Sequence, residues 1–354
     1  MAEGGAFSLE SVVKRAGELW ERVVDFDNLL KAWESARKGK RYRYEALMFA
    51  NRYEERLVEL QNRLIWGEWQ PKGFTSFPVY KPKYRLIEAP YFSDRIVHHA
   101  LHRVVEPVLD KRFVYDSFAC RKGKGIHAAS LRVQHHLRSS ERLGCPGWVL
   151  QADIRGYFNH IRHPELKTLI SRRIKDARIL DLWWKIIDSG GAYGVGQPIG
   201  ALTSQLSANI YLDALDHYCK DDLGIKRYAR YMDDWLIIGE SKETLERLKS
   251  HLEKWLLVEL GLELSKWSIY PASRGIDWAG YRIWSTHIRP RKRNIKNARQ
   301  RIKAQARRGD ELSVKTSLAS FEGYTRNCSA HKTTQAIRTE ASKILNPLAD
   351  SETI

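Results

Sequence analysis

Apolar residues return at helical spacing over residues 8–66. They appear first as Leu9, Val12, Val13, Leu19, Trp20, Val23 and Val24, then as Leu47, Phe49, Tyr53, Leu57 and Leu60, so the stretch is predicted to be mostly helical. Over 68–92 the pattern changes to prolines and alternating apolar residues, which predicts short strands and turns. Helical periodicity resumes at 94–110, with Asp94 placed to cap the helix. GWVLQADI (147–154) reads as a buried strand, 164–188 as helix, and 190–200 as a Gly-rich loop leading into a helix at about 202–220. KRYARYMDDWLII (227–239) reads as two apolar, β-favouring runs around an acidic turn, hence a hairpin. Ser241 is a suitable N-cap for a helix carrying Leu245, Leu248, Leu252, Trp255 and Leu256, and Gly261 stops it. A second hairpin is predicted at 277–288, and a basic helical tail from about 289 to 345. Strands in the middle of the chain with helices on both sides predict an α+β fold.

Composition adds a partner class. The chain has 354 residues and a formal charge of +18, with 43% apolar residues. It can bury a core, and its charge points to a polyanion, either nucleic acid or an acidic membrane surface. Cys120, Cys145, Cys219 and Cys328 form no C-x-x-C pair, which argues against zinc and for free thiols in a reducing compartment. The N-terminus lacks a signal-peptide pattern and no run of about 18 apolar residues occurs, so a cytoplasmic protein without a membrane span is expected.

The candidate chemistry lies in the acidic hairpin. Adjacent Asp233 and Asp234 repel one another, and a divalent cation relieves the repulsion. Hard ions such as Mg²⁺ take carboxylate oxygens, keep waters and engage phosphates. Asp153, at the end of the apolar strand, supplies a third carboxylate, and acids from separate strands can hold two ions about 3.5–4 Å apart. Each acid taken alone is also an ordinary turn residue.

An apolar strand ending in Asp153 with an aromatic at Phe158, a Gly-rich loop before Ser204, and then Tyr231-Met232-Asp233-Asp234 together resemble a reverse transcriptase. The resemblance spans roughly residues 75–285 in consistent order. It implies a right-hand polymerase, with residues 1–66 as an N-terminal helical extension and fingers, 67–146 as fingers, 147–286 as palm and 287–354 as thumb. It also implies two Mg²⁺ ions on Asp153, Asp233, Asp234 and the carbonyl of Ile154. Phe158 stands at the family's steric gate, with Tyr157 as rival; a ring beneath the sugar leaves no room for a 2′-hydroxyl. VYKPKYRLIEAPYFSDR (79–95) is similar to the family's fingers motif, so Arg85 would contact the dNTP triphosphate, assisted by Lys81 or Lys83. Lys266 takes the place of a basic residue near the leaving pyrophosphate.

Pro198-Ile199-Gly200-Ala201-Leu202-Thr203-Ser204-Gln205 narrows the resemblance. Group II intron enzymes carry Pro-Gln-Gly-x-x-x-Ser-Pro here. Ile199, Gly200 and Gln205 instead resemble the signature of diversity-generating retroelements, whose enzymes copy a template-repeat RNA with errors at adenines. Ile199 cannot make the hydrogen bond that Gln makes, so a mispaired nucleotide would lose less affinity relative to a correct one. The same resemblance implies template RNA, a cDNA or primer strand, dNTPs and a pentameric basic accessory variability protein as partners. A retron, abortive-infection or group II-like enzyme of ordinary fidelity, and a non-catalytic RNA-binding scaffold, are the alternatives.

Nucleic-acid contacts are expected from three places. Arg121, Lys122 and Lys124 lie in a glycine-flanked loop that can cradle phosphates or simply be solvated. Tyr231 belongs to the acidic hairpin. Arg289, Arg291, Lys292, Arg293, Lys296 and Arg299 open a run free of acids to residue 308, suited to duplex phosphates.

Overall fold

The computed structural model describes residues 15–80, 84–144 and 147–345. Lys81, Lys83, Cys145, Leu9, Val12 and Val13 lie outside the described residues. The chain mixes helices with antiparallel sheet, the α+β class expected, and divides into two compact units that interleave along the sequence.

The first unit contains the chain up to Val114, with Ile154–Tyr218 and Glu253–Ser265. Its helices Phe26–Arg37 and Phe92–Asp110 pack together through faces that include buried Leu29, Ala32, Ile96 and Ala100. Asp25 caps the former by accepting from the Asn28 amide at 3.0 Å. Strands Phe74–Val79 and Arg85–Pro90 form an antiparallel hairpin in which Val79 faces Arg85. Asp94 is not the cap of the next helix. That helix begins at Phe92, and Asp94 sits buried in its first turn, accepting from the Lys72 amide at 2.6 Å. The apolar run 164–188 is two helices, His163–Ser171 and Ala177–Asp188, rather than one. The break falls where Asp176 accepts from the Leu19 and Trp20 amides at 2.9 and 3.0 Å, so a distant segment uses the carboxylate that starts the second helix.

The second unit contains Tyr115–Asp153, Cys219–Leu252 and the chain from Lys266. It is built on an antiparallel arrangement in which Asp234–Gly239 lies between Tyr228–Tyr231 and Trp148–Ile154, with Leu264–Pro271 at the edge. The helix Ile126–Arg142, which sequence patterning did not resolve, places Ala129, Val133 and Leu137 into a core with Val149, Leu236, Ile238, Trp278 and Tyr281. Fully burying each large aliphatic chain contributes about 1.5–3 kcal/mol. Ser241 caps the helix Lys242–Trp255 by accepting from the Thr244 amide at 3.1 Å, and Gly261 takes the left-handed conformation (φ 63°) that ends the turn after it, both as predicted. The expected hairpin near 277–288 is three strands, Ile276–Trp278, Tyr281–Ile283 and Ile288–Pro290.

The basic tail forms helices Lys292–Arg307, Glu311–Thr325 and His331–Leu345. Ala298, Ile302 and Ala306 recur every fourth residue and make one buried stripe with Val314, Phe321, Ile337 and Ala341.

Candidate functional site

The sheet register places two of the predicted acids face to face. Asp153 stands directly opposite Asp234 across the pair of strands, and Tyr231 faces Asp234 from the other side. Met232 and Asp233 are therefore a two-residue hairpin tip. Met232 has φ 59°, a conformation that L-residues with a Cβ adopt at a cost of roughly 1 kcal/mol.

Arg230 holds that turn. Its side chain is fully buried, donating to the Met232 carbonyl at 3.0 Å and to Ser117 Oγ at 3.0 Å. Its backbone is tied as well: its amide donates to the Asp116 carbonyl at 2.9 Å and its carbonyl accepts from the Phe118 amide at 3.0 Å. Asp116 is buried between Arg132 Nε at 2.5 Å and Lys220 Nζ at 2.8 Å, with His136 at 3.6 Å. Burial alone would raise its carboxyl, but the facing His136, Arg132 and Lys220 outweigh that and hold it well below the usual carboxylate range. Sequence reading missed this support, because an arginine before an acidic turn looks like a solvated cation.

A polar chain steadies Asp234. Gln151 Nε2 donates to Asp234 Oδ1 and to the Asp277 carbonyl, both at 3.3 Å, while its Oε1 accepts from the Tyr270 hydroxyl at 2.9 Å. Burial pushes the Asp234 carboxyl up to about 7, and the charges of Asp153 and Asp233 push the same way against the Gln151 hydrogen bond. A carboxylate so placed gains from a nearby cation. Among the described residues no three His, Cys, Asp or Glu side chains are gathered tightly enough to cage a metal unaided. The oxygen-only set still fits Mg²⁺, which keeps several waters and fills its shell from phosphates.

Other predicted residues gather in the first unit. Phe158 is half-buried in the short helix Tyr157–His160, and its carbonyl accepts from the Gln197 amide at 2.8 Å. Tyr157 points into the core, donating its hydroxyl to the Ala208 carbonyl. The Ile199 carbonyl accepts from the Glu88 amide at 2.8 Å, joining the Gly-rich loop to the strand that carries Arg85. A Cβ at Gly200 (φ 135°) would lie 2.9 Å from the Glu88 carbonyl oxygen, so this approach requires glycine. Buried His163, unforeseen from sequence, anchors the loop through the Gly196 carbonyl at 2.8 Å. Arg85 is exposed at the start of its strand, and Gln205 is half-buried in the first turn of Leu202–His217. Lys266 is exposed on the strand Leu264–Pro271 of the second unit.

The basic residues divide by engagement. Arg121 donates to the Ser117 carbonyl at 2.8 Å. Lys124 donates to the Tyr115 carbonyl at 2.9 Å and lies 3.3 Å over the Tyr115 ring, so both are turned onto the loop's own structure, while Lys122 is exposed. Arg291 pairs with Asp277 and Arg299 with Glu340, whereas Arg289, Lys292, Arg293 and Lys296 are exposed. Lys292, Lys296, Arg299 and Lys303 recur along one side of their helix. None of Cys120, Cys219 and Cys328 is in a disulfide. Among the described residues no helix is long and apolar enough to cross a membrane.

Residues 72–283 match the family described as reverse transcriptase (RNA-dependent DNA polymerase). Protein YkfC of Escherichia coli is 28% identical over 282 residues, covering 67% of this chain and 73% of its own. The group II intron-encoded protein LtrA of Lactococcus lactis is 27% identical over 176 residues, covering 47% of this chain and 28% of its own. A telomerase from Candida albicans, solved with a fragment of telomeric RNA, is 14% identical with a TM-score of 0.49, covering 85% of this chain and 60% of that one.

Proposed function

Because the chain belongs to the reverse transcriptase (RNA-dependent DNA polymerase) family, whose members bind RNA templates and use divalent metal ions, we propose that it extends a primer with deoxynucleotides along an RNA template at Asp153, Asp233 and Asp234. The observation that carries this reading is the apposition of Asp153 and Asp234 on neighbouring antiparallel strands, beside a tip holding Asp233. These three carboxylates, with the Ile154 carbonyl, would hold two Mg²⁺ ions. When bound, the ions would supply Lewis acidity at the primer hydroxyl and the leaving pyrophosphate.

The remaining roles follow from side-chain chemistry. Arg85 offers a planar fork to triphosphate oxygens, with Lys81, Lys83 and Lys266 as further cations. Phe158 is the gate against a 2′-hydroxyl, a reading supported by the half-buried position of its ring while Tyr157 is committed to the core. Gly200 lets the loop bearing Ile199 lie against the Arg85 strand, and Gln205 follows in the next helix. In this reading 67–146 supply fingers, 147–286 the palm, and 287–354 a thumb whose exposed Arg289, Lys292, Arg293 and Lys296 track duplex phosphates, together with Arg291, Arg299 and the loop of Arg121, Lys122 and Lys124. Tyr231, paired with Asp234 across the hairpin, would contact the nucleic acid.

We assign the enzyme to the error-prone class of diversity-generating retroelements, on Ile199 and Gln205. A small basic accessory protein belongs to that assignment by resemblance alone. The similarity to LtrA favours a second reading, a group II-like enzyme of ordinary fidelity. Sequencing cDNA made from one RNA template separates them. The first reading expects errors concentrated at template adenines, and fewer of them in Ile199→Gln. A uniform error spectrum, unchanged by that substitution, supports the second.

A further inference from the structure

Residues 37–44 read Arg-Lys-Gly-Lys-Arg-Tyr-Arg-Tyr, with five cations, two tyrosines and no acid. Tyr42 is 94% exposed and Tyr44 76%. Soluble surfaces usually intersperse charges of both signs and bury large rings, so cations alternating with bare aromatics need a reason.

The segment is built, not trailing. Its turns are closed by the Lys40 amide on the Arg37 carbonyl and the Arg43 amide on the Lys40 carbonyl, both at 2.9 Å. At its entry the Arg37 guanidinium lies 4.1 Å over Trp33, which itself stacks on Tyr53 at 4.5 Å. At its exit Glu45 accepts from the Phe92 amide at 3.2 Å, at the start of the helix that follows the Arg85–Pro90 strand. Arg95 on that helix donates to the Pro90 carbonyl at 3.3 Å. The loop is thus fixed to the base of the hairpin that carries Arg85. Its cations also crowd one another: the Lys40 ammonium lies below the ordinary lysine value, first through burial and then through Arg95 and Arg43. A polyanion relieves that repulsion.

Resting on the reverse transcriptase reading above, we propose that residues 38–44 form a docking site for single-stranded RNA, the template strand beside the fingers hairpin. Bases stack on Tyr42 and Tyr44, while phosphates meet Lys38, Lys40, Arg41 and Arg43. Stacking needs unpaired base faces, which a duplex hides, and it tolerates any sequence.

Fluorescence anisotropy with a labelled oligouridylate of about 15 nucleotides, in buffer without dNTPs, tests this across a salt series. Tyr42→Ala with Tyr44→Ala is expected to weaken binding about 10-fold or more. Lys40→Gln with Arg41→Gln and Arg43→Gln is expected to lower the slope of log K against log salt by about 2, at roughly 0.7 per single-strand phosphate. Affinity for a blunt RNA–DNA duplex should stay unchanged in both variants, with melting temperatures matching the parent. Unchanged oligouridylate affinity and slope in both variants would overturn the proposal, as would equal losses on the duplex. A loss seen only with phosphatidylserine vesicles would assign the loop to a membrane surface instead. Because no nucleotide is incorporated, a chain that makes no DNA yet shows these losses overturns the proposed activity and leaves the docking site standing.

Discussion

Asp153 faces Asp234 across one pair of antiparallel strands, and burial together with the neighbouring acids lifts the Asp234 carboxyl to about 7. Without a cation, that group holds its proton far above the usual carboxylate range. Binding Mg²⁺ therefore competes with a proton. Calorimetry at pH 7 in buffers of different ionisation enthalpy should register net proton release on binding. Affinity should strengthen as pH rises toward 8 and weaken as it falls below 7, where the proton occupies the site. Asp234→Asn should show neither the proton release nor the pH dependence.

Arg230 is expected to act on the same turn without touching substrate. It holds the Met232 carbonyl while Met232 keeps a positive φ, so the tip acids depend on a buried guanidinium. Lysine cannot reproduce two donors in a fixed fork. Arg230→Lys should lower kcat at least about 10-fold, with KM for dNTP and the melting temperature little changed. Arg230→Met leaves the Met232 carbonyl and Ser117 without this donor, and should cost roughly 1–3 kcal/mol of stability. A kcat in Arg230→Lys equal to that of the parent would show that the clamp does not position the acids.

His98 contributes a share of stability that mild acid removes. Burial, with smaller contributions from His99 and Arg95, lowers His98 to about 3, and it pairs with Thr203 Oγ1 at 2.9 Å. The unfolded chain protonates this histidine near 6.5 while the folded chain does not. The stabilisation is therefore complete above about 6.5 and is lost progressively as pH falls from there toward 3. In urea unfolding, the parent should lose about 1 kcal/mol more than His98→Asn between pH 7 and pH 5.5, because His99, lowered to about 4 mainly by burial, and Asp234 act equally in both chains.

Phe158→Ala should open the gate. Removing the ring leaves room for a 2′-hydroxyl, so the preference for dNTP over NTP should drop by at least about 10-fold while dNTP incorporation persists. Steady-state incorporation of each nucleotide on one template measures the ratio. A preference that moves instead in Tyr157→Ala would place the gate one residue earlier.

Hydrophobic periodicity made most elements legible, because their buried faces are local. The acidic hairpin, the Ser241 cap and the Gly261 stop needed only near neighbours. What escaped depends on distant partners. Asp94 looked like a cap because nothing local announces that it holds the Lys72 amide. The helix Ile126–Arg142 hides a stripe of only Ala129, Val133 and Leu137 among histidines, serines and arginines. Within the candidate site the three acids were readable from composition and order. Arg230, Gln151 and His163 were not, since their partners lie tens of residues away or on the backbone.

Primer extension by the purified chain on an RNA template, comparing the parent with Asp234→Asn, decides whether the acidic hairpin makes DNA. DNA product is expected from the parent only when a divalent cation is present. The variant should lose at least about 1,000-fold, since transition-state charge stabilisation of several kcal/mol is removed at 1.36 kcal/mol per tenfold. Undiminished synthesis by Asp234→Asn, or parental synthesis with all divalent cations chelated, would contradict synthesis at the hairpin.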